Sequence, residues 1–384
     1  MKIGAKEISS TKPVYFIAEA GVNHEGNEHL AKALLSIAAW AGVDAVKVQT
    51  FKADLIVTKK AAKAEYQQTN LKNQDSQYDM LKKLELDELG HEKIKKLCVE
   101  EGIEFLSTPH SGTWSVDYLE SLGVAAFKIA SPDITNIPFL KYVAKKQRPI
   151  IISTGMATLE ETKEAIQAIQ EEGNKDLVVL HCTTNYPCPY KEVNLRAMLT
   201  IKEKCNVEVG YSDHTPGIIV PIMATALGAV IIEKHYTIDK NLKGNSPDHV
   251  ASLAPQELKD TMQAIRWVRE QKINDPVEAV KKYYEYINEQ VPLSDKELEE
   301  SLGTGIKKPT EAELRIMPGI RKSIVATMLI KKGEVISVEN IDVKRPNSGL
   351  APKYFFKLSS KNYKATRDIN SDEPITLENT NFNL

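Results

Sequence analysis

Long apolar runs are missing from this chain: no stretch approaches the ~20 consecutive apolar residues that a bilayer-spanning helix needs. The opening residues, Met1 to Lys6, form no apolar signal core either, so a cytoplasmic protein that does not meet a membrane is expected. Charge of one sign is also scarce, since 50 basic and 52 acidic residues leave a formal net charge of -2. That balance gives no global field for nucleic acid or an anionic surface, and an anionic substrate must be met by local charges. Cysteine is sparse. Cys98, Cys182, Cys188 and Cys205 show no CxxC or zinc-knuckle spacing, which excludes a disulfide framework and reads as reduced, mostly buried thiols. No GxGxxG or GxxxxGK follows a strand-like run, which argues against a nucleotide-binding fold.

What is present is a hydrophobic content of 42% in 384 residues, enough for a large core plus a smaller appendage. From Pro13 to about residue 270, β-branched runs alternate with stretches of helical period. Eight runs stand out: Val14 to Ala20, Ala45 to Gln49, Ile103 to Ser107, Ala125 to Ile129, Pro149 to Ser153, Leu177 to Cys182, Val207 to Tyr211 and Ala229 to His235. Helices are expected between them, among others Glu28 to Trp40, Asp87 to Glu101, Leu159 to Glu172 and Thr215 to Leu227, the last opened by Asp213, Thr215 and Pro216 as caps. Eight strand-helix units over about 250 residues fit a (β/α)8 TIM barrel, an α/β fold. The long polar segment Ala53 to Lys83 reads as a substrate lid above the second strand. Residues 1-272 are therefore taken as the barrel, 273-318 as a charged linker with breakers at Gly303, Gly305, Pro309, Pro318 and Gly319, and 319-384 as a small domain. Within that tail Ala326-Thr327, Ile330, Glu334, Ile336-Ser337 and Glu339-Asn340 recur 39 residues later as Ala365-Thr366, Ile369, Glu373, Ile375-Thr376 and Glu378-Asn379. Two copies of strand, turn and strand predict a pseudo-symmetric, mainly β domain.

In a barrel the chemistry sits at strand C-terminal ends and in the loops after them. Those ends carry Glu19, Asn23, His24 and Glu25; Lys47 and Gln49; Ser107 and Thr108; Lys128 and Ser131; Ser153 and Thr154; His181, Thr183, Thr184, Asn185 and Tyr186; Ser212, Asp213 and His214; and Glu233 and His235. Lys47 and Lys128 interrupt otherwise apolar runs, where an ammonium without an anionic partner is costly. Beside Thr108, Ser131 and Ser153 they point to a pocket for phosphate or carboxylate. A structural ion pair or a Schiff-base lysine are the other readings. His214 and His235 end adjacent strands and could share one cation, with Asp213 and Glu233 as supporting carboxylates and His24 and His181 as further candidates. Two nitrogens completed by oxygen donors suit a labile divalent ion, Mn2+ first, with Mg2+ or Co2+ as alternatives.

Taken together, Ala18-Glu19-Ala20-Gly21-Val22-Asn23-His24-Glu25-Gly26, Val46-Lys47-Val48-Gln49-Thr50-Phe51, Ser107-Thr108-Pro109, Ser153-Thr154-Gly155-Met156, His181-Cys182-Thr183-Thr184, Gly210-Tyr211-Ser212-Asp213-His214-Thr215 and Glu233-Lys234-His235 resemble the sialic acid synthase family. The tail, with Lys344-Arg345-Pro346 and the repeated Glu-Asn turns, resembles that family's antifreeze-like (SAF, β-clip) domain. The resemblance implies condensation of phosphoenolpyruvate with N-acetylmannosamine or a related 2-acetamido or 2,4-diacetamido hexose. It implies that His214 and His235 hold the metal and that Lys47, Thr108, Lys128, Ser131, Ser153 and Thr184 bind phosphoenolpyruvate. Glu19, Tyr186 and Asp248 would serve the sugar pocket or its catalytic contacts and Arg345 the acetamido group; the loop with Tyr66 and Gln67 is expected to read the sugar's substituents, and Glu19, Glu233 and Asp213 are the candidates for handling the proton. It further implies a homodimer in which exchanged small domains deliver Arg345 in trans. The alternatives are another pyruvate- or phosphoenolpyruvate-condensing barrel aldolase, or a non-catalytic carbohydrate-binding protein.

Several positions depart from the family pattern. Ser131-Pro132-Asp133 replaces a Ser-Gly-Glu turn, His110 stands where an aromatic is common, and Gly244-Asn245-Ser246-Pro247-Asp248 expands a Gly-Pro-Asp turn. An insertion spans about residues 275-297.

Overall fold

The computed structural model describes residues 1-72 and 74-383. A short antiparallel hairpin, β1 (Lys2–Ile3) and β2 (Lys6–Glu7), precedes the barrel. The first barrel units are β3 (Tyr15–Gly21), α1 (Glu28–Ala41) and β4 (Ala45–Thr50). After β4 the chain makes three short helices, α2 (Ala53–Ile56), α3 (Glu65–Leu71) and α4 (Gln77–Leu84), before α5 (Glu88–Glu100). Then follow β5 (Glu104–Pro109), α6 (Gly112–Leu122), β6 (Phe127–Ile129), α7 (Ile137–Lys145), β7 (Ile150–Ser153) and α8 (Leu159–Glu171). The barrel finishes with β8 (Leu177–Cys182), α9 (Arg196–Cys205), β9 (Glu208–Asp213), α10 (Ile219–Ala226), β10 (Ile231–His235) and α11 (Pro255–Glu270). All ladders among these eight strands are parallel, in the order β5-β4-β3-β10-β9-β8-β7-β6, and β5 adjoins β6 at the seam. This is the TIM barrel expected, nearly closed.

Local chemistry sets the ends of these elements. Asn27 caps α1 by accepting from the His29 and Leu30 amides, and Gly42 ends it with φ 76°, a left-handed conformation that glycine adopts without strain. Between caps, Ala31, Leu34, Leu35, Ala38 and Ala41 recur at three- and four-residue spacing and are buried against the strands.

Strand periodicity sorts every side chain in the sheet. One parity, with Phe16, Val46, Phe105, Ile129, Ile152, Val179, Val209 and Ile232, packs outward under the helices. The other points into the lumen, where Ile17, Ala45, Leu106, Ile151, Val178, Leu180 and Ile231 form an apolar plug with Ile3 and Ile8 of the N-terminal hairpin. The lumen is thus dry at the bottom, and the same parity carried one step upward gives Glu19, Lys47, Thr108, Lys128, Ser153, Cys182, Ser212, Glu233 and His235.

Two expectations change here. The helix expected over Thr215 to Leu227 starts at Ile219, because Asp213 accepts from the Thr215 amide at 2.9 Å and ion-pairs with Lys234 instead of capping. The stretch taken as a linker, 273-318, is more helical than its breakers suggested: it holds α12 (Pro276–Tyr286), α13 (Asp295–Leu302) and most of α14 (Glu311–Ile320). Ala279, Val280, Tyr283, Leu298 and Leu302 join the barrel's outer core, so the insertion thickens the helical layer.

The small domain pairs β11 (Ser323–Ala326) with β12 (Ile341–Lys344) and adds α15 (Phe355–Ser360). Its internal repeat is visible bond by bond. Ile330 and Ile369, equivalent in the two copies, exchange backbone hydrogen bonds at 2.9 Å with each other. Asn340 donates to the Val335 carbonyl and accepts from the Ser337 amide, while Asn379 repeats both bonds with Pro374 and Thr376, all four within 2.8–2.9 Å. Ile324, Ile330, Ile336, Ile341, Ile369 and Ile375 fill the core between the copies. Among the described residues, no helix is long and apolar enough to cross a membrane.

Candidate active site

The upper end of the barrel opens into a cavity with about 870 Å³ of space between its atoms, open solvent included. Fifteen of the sixteen residues given a catalytic, substrate or metal role by the resemblance line it: Glu19, Lys47, Tyr66, Gln67, Thr108, Lys128, Ser131, Ser153, Thr184, Tyr186, His214, Glu233, His235, Asp248 and Arg345.

Asp213 is the exception. Strand parity turns it outward, where it is fully buried against Lys234 and the Thr215 hydroxyl, so it handles no proton in the cavity. The same parity removes His181, which bonds the Val193 carbonyl at 2.9 Å. His24 packs among Ala31, Leu34 and Ile94 behind the strands. Neither histidine reaches the cavity, and His214 with His235 remain the pair.

On one side of the cavity two buried lysines meet a carboxylate. Lys128 Nζ lies 3.2 Å from Glu233 Oε1 and donates to Ser153 Oγ at 2.8 Å. Lys47 Nζ lies 3.7 Å from Glu233 Oε2, contacts Glu19, and donates to Thr108 Oγ1 at 2.9 Å. Burial alone would raise the pKa of Glu233, but Lys128 and Lys47 outweigh it and hold the group at about 2. Burial wins at Glu19: despite Lys47, and helped by repulsion from Glu233, its pKa is pushed up to about 7. The two carboxylates are thus poised differently, one as a fixed anion and one near its titration point.

Next to the lysines is a nook lined by hydroxyls. Ser131 Oγ accepts from the Gly155 amide at 2.9 Å, and the buried Thr184 Oγ1 has no partner. A Cβ on Gly155 would stand 2.8 Å from Ser131 Oγ and would overlap Thr184 Oγ1, so glycine is needed there for close approach. Pro132 does not disturb the nook, because the working donor is Gly155 and not the amide that proline lacks.

The rings of His214 and His235 have centroids 5.5 Å apart, and Tyr186 lies between His214 (4.0 Å, tilted) and Tyr66 (4.9 Å, stacked). His214 Nδ1 bonds the Thr183 carbonyl at 2.8 Å, which leaves Nε2 free. His235 Nδ1 has no hydrogen-bond partner and lies 3.9 Å from Asp248 Oδ2. The expanded turn keeps Asp248 in the cavity because Glu25 clamps it, accepting from Asn245 N at 2.6 Å and Ser246 N at 2.8 Å. Burial raises the Asp248 carboxyl to about 6 against the pull of His214.

The described residues of the segment expected to be a lid form α2, α3 and α4 rather than one long loop, and α3 and α4 contribute Tyr66, Gln67, Met80, Leu81 and Leu84 to the cavity lining. Gln67 faces the cavity, yet its Oε1 already accepts from Ala64 N at 2.9 Å and Gln77 Nε2 at 3.2 Å. Arg345 enters from the small domain of the same chain: its amide donates to Ile56 O and its carbonyl accepts from Thr58 N, both at 2.9 Å. Lys322 locks that closure by donating to the His110 carbonyl at 2.9 Å and pairing with Asp133 at 2.8 Å. His110 and Asp133, two of the departures from the family pattern, are thus neighbours in one cluster, 3.7 Å apart. Cys182, not singled out from sequence, also lines the cavity, 3.7 Å from Ser131 Oγ and 3.9 Å from His214 Nδ1; its place on the inward parity of β8 was the available signal.

A barrel with a lysine- and hydroxyl-lined nook beside a histidine-tyrosine cluster, roofed by a small β domain, defines an enzyme built to hold an anion against a second substrate. The NeuB family pattern matches residues 34-275, the SAF domain pattern matches residues 321-379, and the chain belongs to the NeuB family. It is 44% identical over 353 residues to the N,N'-diacetyllegionaminic acid synthase of Legionella pneumophila, covering 91% of this chain and 90% of that protein. Identity to the Campylobacter jejuni protein of the same name is also 44%, over 359 residues, with 92% and 98% covered. The crystal structure of the Bacillus subtilis spore coat polysaccharide biosynthesis protein SpsE superposes with a TM-score of 0.79 at 34% identity, over 99% of this chain and 98% of that one.

Proposed function

We propose that this enzyme condenses phosphoenolpyruvate with the open-chain form of an acetamido sugar, giving a nonulosonic acid and phosphate. The observation that carries the reading is the convergence of Lys47 and Lys128 on Glu233 beside the Ser131, Gly155 and Thr184 nook. It supplies two cations and several donors for the phosphate and carboxylate of a small dianion or trianion. The two relatives at 44% identity are named for a diacetylated product, which favours a 2,4-diacetamido hexose over N-acetylmannosamine.

In this reading Lys128, Ser153, Ser131 and Thr184 hold phosphoenolpyruvate, and Lys47 with Thr108 orients its enol face toward the sugar. Tyr66, Tyr186, Asp248 and Arg345 hold the sugar with its C1 carbonyl near phosphoenolpyruvate C3. The C3–C1 bond forms, the sugar oxygen gains a proton, water adds at C2 and gives one up, and the C2–O bond breaks with its electrons leaving on phosphate. Glu19, with its pKa near 7, is the group that moves protons at its carboxyl oxygen, whereas Glu233 stays ionised and fixes the lysines.

A divalent cation, Mn2+ first with Mg2+ or Co2+ as alternatives, fits the histidine pair: His214 Nε2 is free and His235 Nδ1 is unpartnered. Among the described residues no third histidine, cysteine or carboxylate completes a protein cage, so substrate and water would supply the other donors. Such an ion would add Lewis-acid polarisation of the sugar carbonyl. Exchange of small domains between two copies would reproduce the Arg345 contacts in trans, and a homodimer of that form is the proposed assembly. Phosphate release from phosphoenolpyruvate across a panel of acetamido sugars tests the function; release with none of them would overturn it.

A further inference from the structure

Helix α14, which leads from the barrel to the small domain, grips a single residue, Met156, of the loop that carries the anion nook. Glu313, 1% exposed, stands in its first turn. One carboxylate oxygen, Oε2, accepts from the Thr310 amide at 2.9 Å, while Thr310 Oγ1 accepts from the Glu313 amide at 3.2 Å, an ordinary capping box. The other oxygen, Oε1, reaches out of the helix to the barrel. It accepts from the Met156 amide at 2.6 Å and the Thr184 amide at 2.8 Å. Just past the other end of α14, Arg321 donates to the Met156 carbonyl at 2.9 Å and is itself held by Glu161 at 2.7 and 2.8 Å.

Met156 is therefore fixed at both its N–H and its C=O by the two ends of one helix. Its φ is 63°, a left-handed conformation that a residue with a Cβ keeps only when its surroundings hold it there. Its side chain is buried among Ala64 of the lid and Ile316 and Ile320 of α14. The preceding residue is Gly155, whose amide holds Ser131, and the second amide on Glu313 belongs to Thr184. Neither Glu313 nor Arg321 lines the cavity.

Resting on the function proposed above, we propose that Glu313 and Arg321 are positioning residues for phosphoenolpyruvate. They act through Met156 and Thr184 by holding Gly155, Ser131 and Thr184 in the arrangement that receives the phosphate. Without Glu313, two buried amides lose their acceptor and Met156 is released from its left-handed conformation, so the nook opens while the lysines stay in place.

The test uses the full chain with Glu313→Ala, Glu313→Gln and Arg321→Met. Binding of phosphoenolpyruvate and of inorganic phosphate is measured by calorimetry, with KM for each substrate measured separately. Glu313→Ala is expected to weaken phosphoenolpyruvate binding and raise its KM about tenfold or more, leaving the sugar KM within about twofold. Glu313→Gln is expected to stay within about threefold of wild type, because its Oε1 can still accept from both amides and only the Thr310 cap is lost. Arg321→Met falls between them, and carries the test if Glu313→Ala does not fold. Wild-type phosphoenolpyruvate affinity in Glu313→Ala or Arg321→Met would overturn the inference, as would a parallel rise in both KM values that follows a lowered melting temperature. A wild-type chain that binds no phosphoenolpyruvate would instead remove the functional reading beneath it.

Discussion

Lys322→Met should detach the roof of the site. The Lys322–Asp133 pair spans 2.8 Å between the small domain and the barrel, with side chains only 2% and 1% exposed. Removing one member of such a pair strands a buried charge at a cost of about 3–5 kcal/mol. His110 gives little relief near neutrality, because burial pushes its pKa down to about 4 despite Asp133. Arg345 remains as a nearby cation, so the lower end, about 3 kcal/mol, is expected, or roughly a hundredfold in the seated equilibrium. The sign with pH follows from Asp133. Burial pushes its carboxyl up, but Lys322 and His110 outweigh this and hold it well below the usual range. The stability it contributes in the wild type is present above the unfolded carboxylate pKa of about 4 and is lost only as pH falls through the depressed folded value. In Lys322→Met burial is no longer outweighed, Asp133 takes up its proton at higher pH, and the penalty shrinks in acid. The assay is thermal unfolding together with the sugar KM, for Lys322→Met, Asp133→Asn and the double variant, at pH 5 and pH 7.5. The double variant should be more stable than Lys322→Met alone, because it removes the stranded charge. Additive losses, or Lys322→Met melting with wild type and keeping its sugar KM, would refute the reasoning.

Gly155→Ala places a Cβ 2.8 Å from Ser131 Oγ and into Thr184 Oγ1, and loss of one charge-assisted phosphate contact, about 1.5–3 kcal/mol, should raise the phosphoenolpyruvate KM about ten- to a hundredfold; an unchanged KM would place the phosphate elsewhere. Chelation should abolish phosphate release and Mn2+ restore it, while His235→Ala should weaken Mn2+ binding measured by titration calorimetry; full activity in chelator would sink the two-histidine proposal.

Much of the site was legible because a strand shows its facing in every second residue. The barrel strands and the cavity-lining lysines, glutamates and histidines follow from that period. Asp213 was misread because its neighbours Ser212 and His214 face the cavity, and one step of parity put it with Lys234 behind the sheet. The helix after β9 began late for the same reason: Asp213 was already engaged by Lys234 and could not also cap. Residues 273-318 looked like a linker since their charges were counted without the helical period of Ala279, Val280 and Tyr283 that seats them on the barrel. Glu313 gave no local sign of its reach to Met156 and Thr184, since its spacing from Thr310 spells a capping box and nothing more. The cluster of His110, Asp133 and Lys322 joins three separate stretches of sequence; the first two stood out only as isolated departures and Lys322 not at all.

The central claim is that carbon-carbon bond formation at phosphoenolpyruvate C3 is coupled to cleavage of the C2–O bond. Phosphoenolpyruvate carrying 18O at the bridging oxygen tests it directly when incubated with the enzyme, Mn2+ and a 2,4-diacetamido hexose. The label is expected in the released phosphate, alongside an acid three carbons longer than the sugar. Label retained in an organic product, or phosphate released without that longer acid, would contradict the account.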